Sequence, residues 1–107
     1  MREVANLRRR LVRQIKALAT PRFRDMGYRK ALDRKKGILG GTRPMRGTAL
    51  KAPIALKFAG DGDEIIAITE DGVMIDACGG GCVTWGYGCL AVEDLARINH
   101  ALARGAA

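Results

Sequence analysis

The sequence predicts an α+β domain in which helices cover one face of a four-stranded antiparallel sheet. Near both ends of the 107-residue chain, apolar residues recur every three or four positions, the spacing of an amphipathic helix. Across the second half they recur at every second position, in short runs separated by glycine and aspartate, the pattern of strands joined by tight turns. A composition of 48% hydrophobic and 28% charged residues belongs to a folded chain. Its length suits a single domain, residues 1–107, and an aromatic content of 5% requires a mostly aliphatic core.

Val4, Leu7, Leu11, Ile15 and Leu18 form one stripe of a helix over residues 2–19. Thr20-Pro21 reads as an N-cap followed by proline at the first helical position. This predicts a second, shorter helix to about Lys36, supported by Asp25–Arg29 and Arg29–Asp33 spacings and stopped by Gly37. Its apolar pattern is poorer, because Gly27 interrupts it. Residues 37–53, with their glycines, two prolines, Arg43 and Arg46, are expected to be a loop or a basic arm. Strands are expected at 54–59, 64–69, 73–78 and 82–89. The turns between them lie at Gly60–Asp63, at the Glu70-Asp71-Gly72 hairpin signal and at Gly79–Gly81. A closing helix over 92–104 carries the stripe Leu95, Ile98 and Leu102. The sheet needs an apolar cover, and the first and last helices offer one. The chain thus divides into a basic helical part (1–36), a loop or arm (37–53), and a β-meander with its closing helix (54–107).

The charge is split between the halves. Residues 1–50 hold fifteen Lys and Arg against three acids, a net +12, whereas residues 51–107 hold four against eight, a net −4. Such asymmetry points to a polyanionic partner. In the first helix Arg2, Arg9, Arg13 and Lys16 lie opposite the apolar stripe, and Glu3 is the sole acid among its first nineteen residues. A merely solvated face usually mixes signs. Arg29, Lys30, Arg34, Lys35, Lys36, Arg43 and Arg46 complete the candidate phosphate-contacting set. The Arg34–Lys36 triplet has a structural explanation too, since cations favour the end of a helix.

The densest chemical stretch is CGGGCVTWGYGC, residues 78–89. Cys78, Cys82 and Cys89 with His100 supply the ligand types of a zinc site, but no paired C-x-x-C knuckle is present and no metal or other cofactor is predicted. A Cys89 nucleophile needs a base, and Asp94 and His100, six residues apart on one helix, point to different sides of it. Buried free cysteine is the plainer reading. The triple glycine lacks the lysine and helix of a phosphate loop, so it reads as a turn. Trp85 and Tyr87 share a sheet face: covered, they are core; open, they are a stacking platform for unpaired bases.

No stretch carries a family signature. The sequence therefore leads to a non-enzymatic, nucleic-acid-binding accessory protein that contacts the phosphate backbone with low sequence specificity. The alternative is a protein-interaction or inhibitor module of the phage or plasmid kind, docking on an acidic protein surface, with a homodimer as a further option. No apolar run approaches the roughly 18–20 residues that span a bilayer, so no membrane partner is expected. An odd number of cysteines fits a reducing cytoplasmic compartment.

Overall fold

A computed structural model describes residues 2–33, 38–57, 63–77 and 81–107. Helix α1 (Arg2–Ala19) leads through a 3-10 turn (Thr20–Arg22) into strands β1 (Arg24–Asp33), β2 (Ile38–Ala55), β3 (Glu64–Thr69), β4 (Gly72–Ala77) and β5 (Gly81–Gly86). A second 3-10 turn (Tyr87–Cys89) then leads into helix α2 (Val92–Ala103). The sheet order is β1-β2-β3-β4-β5, with every neighbouring pair antiparallel. The fold class is the expected one, with five strands in place of four.

Both helices lie on one face of the sheet. Leu11, Ile15 and Ala19 of α1 and Leu95, Ile98 and Leu102 of α2 meet Ile65, Ile68, Val73 and Ile75 of the central strands. Each fully buried side chain of this size contributes about 1.5–3 kcal/mol. The helices are also pinned to each other by Asn99 Nδ2, which donates to Gln14 Oε1 at 2.8 Å. The ends of the α1 stripe fall outside this contact, since Val4 and Leu18 are 52% and 41% exposed. Side chains alternate along a strand, so Met74, between Val73 and Ile75, lies on the opposite face. There it forms a smaller cluster with Met45 and Ala67, flanked by Met26 and Ile66.

The segment expected to be a second helix is the 3-10 turn and β1. Thr20 does not cap a helix; its hydroxyl donates back to the carbonyl of Lys16, and Phe23 is already extended at φ −63°, ψ 138°. Asp25 and Arg29 lie on a strand, not on a helix. Asp25 Oδ1 accepts the Gly27 N–H at 2.8 Å, and Gly27 takes φ +79°, a conformation glycine adopts without penalty. The ladder slips between Asp25 and Tyr28 at that point. Gly27, which interrupts a helical pattern, is here a β-bulge residue.

The expected loop over 37–53 is most of β2. Pro53 lies in the register shift between Ala49 and Ile54, and Pro44 is opposite Tyr28 of β1, beyond Gly47, the last residue in register with β3. Inside the shift, the Lys51 N–H donates to the Ala106 carbonyl at 2.7 Å. The chain reaches that position by turning at Gly105, φ +86°. Eighteen residues of strand have a contour of about 60 Å, longer than the 35 Å longest dimension, so β2 bends strongly. The strand expected to begin at Ile54 is therefore the end of β2, and Phe58 lies outside the described residues.

The Glu70-Asp71 turn is closed by Thr69, whose hydroxyl donates to the Gly72 carbonyl at 3.0 Å and accepts the Gly72 N–H at 3.2 Å. A Cβ on Gly72 would stand 1.9 Å from the Trp85 carbonyl oxygen, so glycine is required by the approach of β5. Where β2 runs out, α2 takes over. Asp94, 2% exposed, accepts the Lys57 N–H at 3.0 Å and the Arg97 guanidinium at 3.2 Å. Arg97 also donates to the Ala55 carbonyl at 2.7 Å.

Candidate nucleic-acid interface

The cations of α1 divide into two groups. Arg2, Arg9, Arg13 and Lys16 are exposed, and none of them is in an ion pair among the described residues. Arg8 is half-buried and turned inward, donating to the Tyr87 carbonyl at 3.4 Å and, more closely, to the Leu90 carbonyl. Lys16 stands at the border, its Nζ 5.4 Å from the centre of the Tyr87 ring, a favourable cation–π placement. The first helix is thus fastened to the 87–90 turn by two of its own cations.

From Lys16 the surface continues into two open clefts that meet at Phe23. The smaller, about 320 Å³, is lined by Lys16, Thr20, Phe23, Arg46 and Glu70. The larger, about 740 Å³, runs past Phe23 between Arg22, Arg24, Asp25 and Lys51, with Gly47 and Thr48 in its wall. The local pairing explains this convergence. Arg24 is opposite Gly47 and Asp25 opposite Arg46 in the β1–β2 ladder, while the Glu70 N–H donates to the Arg46 carbonyl at 3.3 Å. Five cations therefore surround one aromatic ring, against Glu70 and Asp25. The Asp25 carboxylate already has the Gly27 N–H to accept.

Among the described residues, Lys16 and Arg46 of the expected phosphate-contacting set line these clefts. Arg2 and Arg9 lie fourteen and seven residues from Lys16, about 21 and 10 Å along the helix axis. Backbone register places Arg29 directly opposite Arg43, and Lys30 opposite Thr42, in the β1–β2 ladder. Arg34, Lys35 and Lys36 lie outside the described residues. Arg22, Arg24 and Lys51 were not expected. Arg22-Phe23-Arg24 is an alternating basic–aromatic–basic triplet, a signal hidden while the segment reads as helix, and Lys51 falls within the expected loop.

Trp85 and Tyr87 do not form an open platform. Trp85 is half-buried against the main core, in register with Val73. Tyr87 belongs to the 3-10 turn, is 6% exposed, and donates its hydroxyl to the Thr69 carbonyl at 2.7 Å. Burial, and secondarily the Asp71 carboxylate, push its phenol well above the ordinary tyrosine range.

Cys89 is a free, exposed thiol in the same turn, and His100 is exposed on α2. Cys78 lies outside the described residues, and Cys82 is placed in register with Asp76 on β5. Asp94 is committed to Lys57 and Arg97. Among the described residues no three His, Cys, Asp or Glu side chains gather to hold a metal. None of the described helices is long and apolar enough to cross a membrane. Neither a family model, a curated protein nor a solved structure matches the chain.

Proposed function

We propose that this protein is a small nucleic-acid-binding accessory protein that grips the phosphate backbone with low sequence specificity. The observation carrying this reading is the convergence of Lys16, Arg22, Arg24, Arg46 and Lys51 on two adjoining clefts. The chain brings them there from three separate segments, and a surface holding like charges together is stabilised by a polyanion laid across it. Phosphate contacts of this kind position a nucleic acid and read no sequence.

The test is the salt dependence of binding to mixed-sequence oligonucleotides. Five phosphate contacts predict a loss of about 10²–10³-fold in affinity between 50 and 200 mM salt, and participation of the Arg29–Arg43 ladder steepens it. Binding that hardly changes over that range, or a stoichiometric protein partner that withstands nuclease while no oligonucleotide binds, overturns this reading.

A further inference from the structure

We propose that Phe23 is a stacking platform for an unpaired base, so that the ligand of the clefts is single-stranded nucleic acid crossing the Thr20–Arg24 elbow; this rests on the nucleic-acid reading above. Among the described residues, Phe23 alone lines both clefts. It is half-buried, with part of the ring against the main core and the remainder facing the cleft space. Its position is fixed before any ligand arrives: Pro21 restricts the turn, the Phe23 N–H donates to the Thr20 carbonyl at 3.0 Å, and β1 pairing begins at the next residue. A ring held rigidly in a basic groove is the arrangement by which proteins bind single strands of any sequence, since every base offers a π-face.

The two clefts divide the work by charge. The larger has Arg22, Arg24 and Lys51 against Asp25, whose Oδ1 accepts the Gly27 N–H, and it suits the sugar–phosphate backbone. The smaller has Lys16 and Arg46 against Glu70, a weaker positive balance, and its two cations take the phosphates that flank the base seated there. At about 320 Å³ it lies at the small end of the range for pockets that enclose organic groups. A base inside an intact duplex is stacked on both faces and has none to offer to Phe23.

The experiment compares a fluorescein-labelled oligothymidylate with a labelled duplex of equal length, using wild type, Phe23→Leu, Phe23→Trp and Arg24→Ala/Lys51→Ala. Leucine keeps the apolar contact with the core and removes the ring. It is expected to lower single-strand affinity about 5- to 150-fold, to leave the salt slope unchanged, and to leave duplex binding unaffected. Phe23→Trp is expected to retain single-strand affinity, with emission from the added indole quenched on binding. The double cleft variant is expected to flatten the salt slope by about 1.4. Wild-type single-strand affinity in Phe23→Leu, equal losses on both ligands, or an unquenched indole overturns the stacking proposal while salt-dependent binding still supports the function. If wild type binds neither ligand, both fall.

Discussion

Replacing Tyr87 by Phe deletes one oxygen from the core and tests the 87–90 turn at two pH values with one variant. The hydroxyl donates to the Thr69 carbonyl at 2.7 Å between residues 6% and 0% exposed. The ring itself is retained, so the cost at neutral pH is that of a buried acceptor losing its donor, about 1–2 kcal/mol. The alkaline limb runs the other way. Burial raises the folded-state phenol pKa above its ordinary value near 10. From about pH 10 upward the unfolded chain therefore releases this proton while the folded chain keeps it. Wild-type stability is full below that point and falls by about 1.4 kcal/mol per pH unit as pH rises toward the folded-state value. Tyr87→Phe has no such proton to lose, and contributions from Tyr28 and the lysines cancel in the difference between the two proteins. The stability gap should therefore shrink above about pH 10 and close near pH 11. Urea denaturation of both proteins at matched pH between 7 and 11 measures it. A gap that stays constant to pH 11 would mean that Tyr87 ionises as readily folded as unfolded, and would refute its placement in the core.

Two further substitutions probe the frame around the clefts. Gly72→Ala places a Cβ 1.9 Å from the Trp85 carbonyl oxygen, so β4 and β5 must separate; a loss of at least about 3 kcal/mol, or failure to fold, is expected in thermal melts. Asp94→Ala leaves the Lys57 N–H and the Arg97 guanidinium without a carboxylate, and a loss of about 2–4 kcal/mol is expected by denaturant titration.

The helices were legible because their evidence is local and repeated. Five apolar positions set α1, three set α2, and Glu64–Thr69 is a β-branched run bounded by turn residues. Residues 21–33 and 38–53 were misread for a different reason. In Arg22–Lys36 the helix-compatible spacings Asp25–Arg29 and Arg29–Asp33 are real, but the competing hydrogen bond from Gly27 to Asp25 is invisible without the backbone. Nor does the sequence disclose that a proline-containing, glycine-rich stretch extends as β2. It is held by β1 on one side, by β3 over part of the other, and by the returning chain at Ala106 where β3 lets go. Those contacts join residues up to 55 positions apart. Most of the candidate site fell in this misread region, where Arg22, Arg24 and Lys51 were missed although Arg46 of the same stretch was found; Lys16 lies on the correctly read α1.

Net charge alone is a poor guide to which cations are displayed, and this chain shows how folding sorts them. Arg8 is tied to the carbonyls of the 87–90 turn, and Arg97 to Asp94 and the carbonyl of Ala55, so the guanidinium groups of both are engaged by the fold even though both count in the +8. Lys16 serves the fold through the Tyr87 ring and still borders the smaller cleft. The +12 of the first half therefore overstates the field of any single face. A partner that simply followed total charge would be drawn to α1, where Arg2, Arg9 and Arg13 are exposed. A partner that needs shape as well as charge is directed to the Phe23 elbow, where cations and an aromatic ring are fixed by β1–β2 pairing. Salt-dependent binding that survives Arg2→Ala/Arg9→Ala but weakens in Arg24→Ala/Lys51→Ala distinguishes the second from the first, because the elbow's charges act at short range and helix charges about 10 Å or more from Lys16 are largely screened at physiological ionic strength.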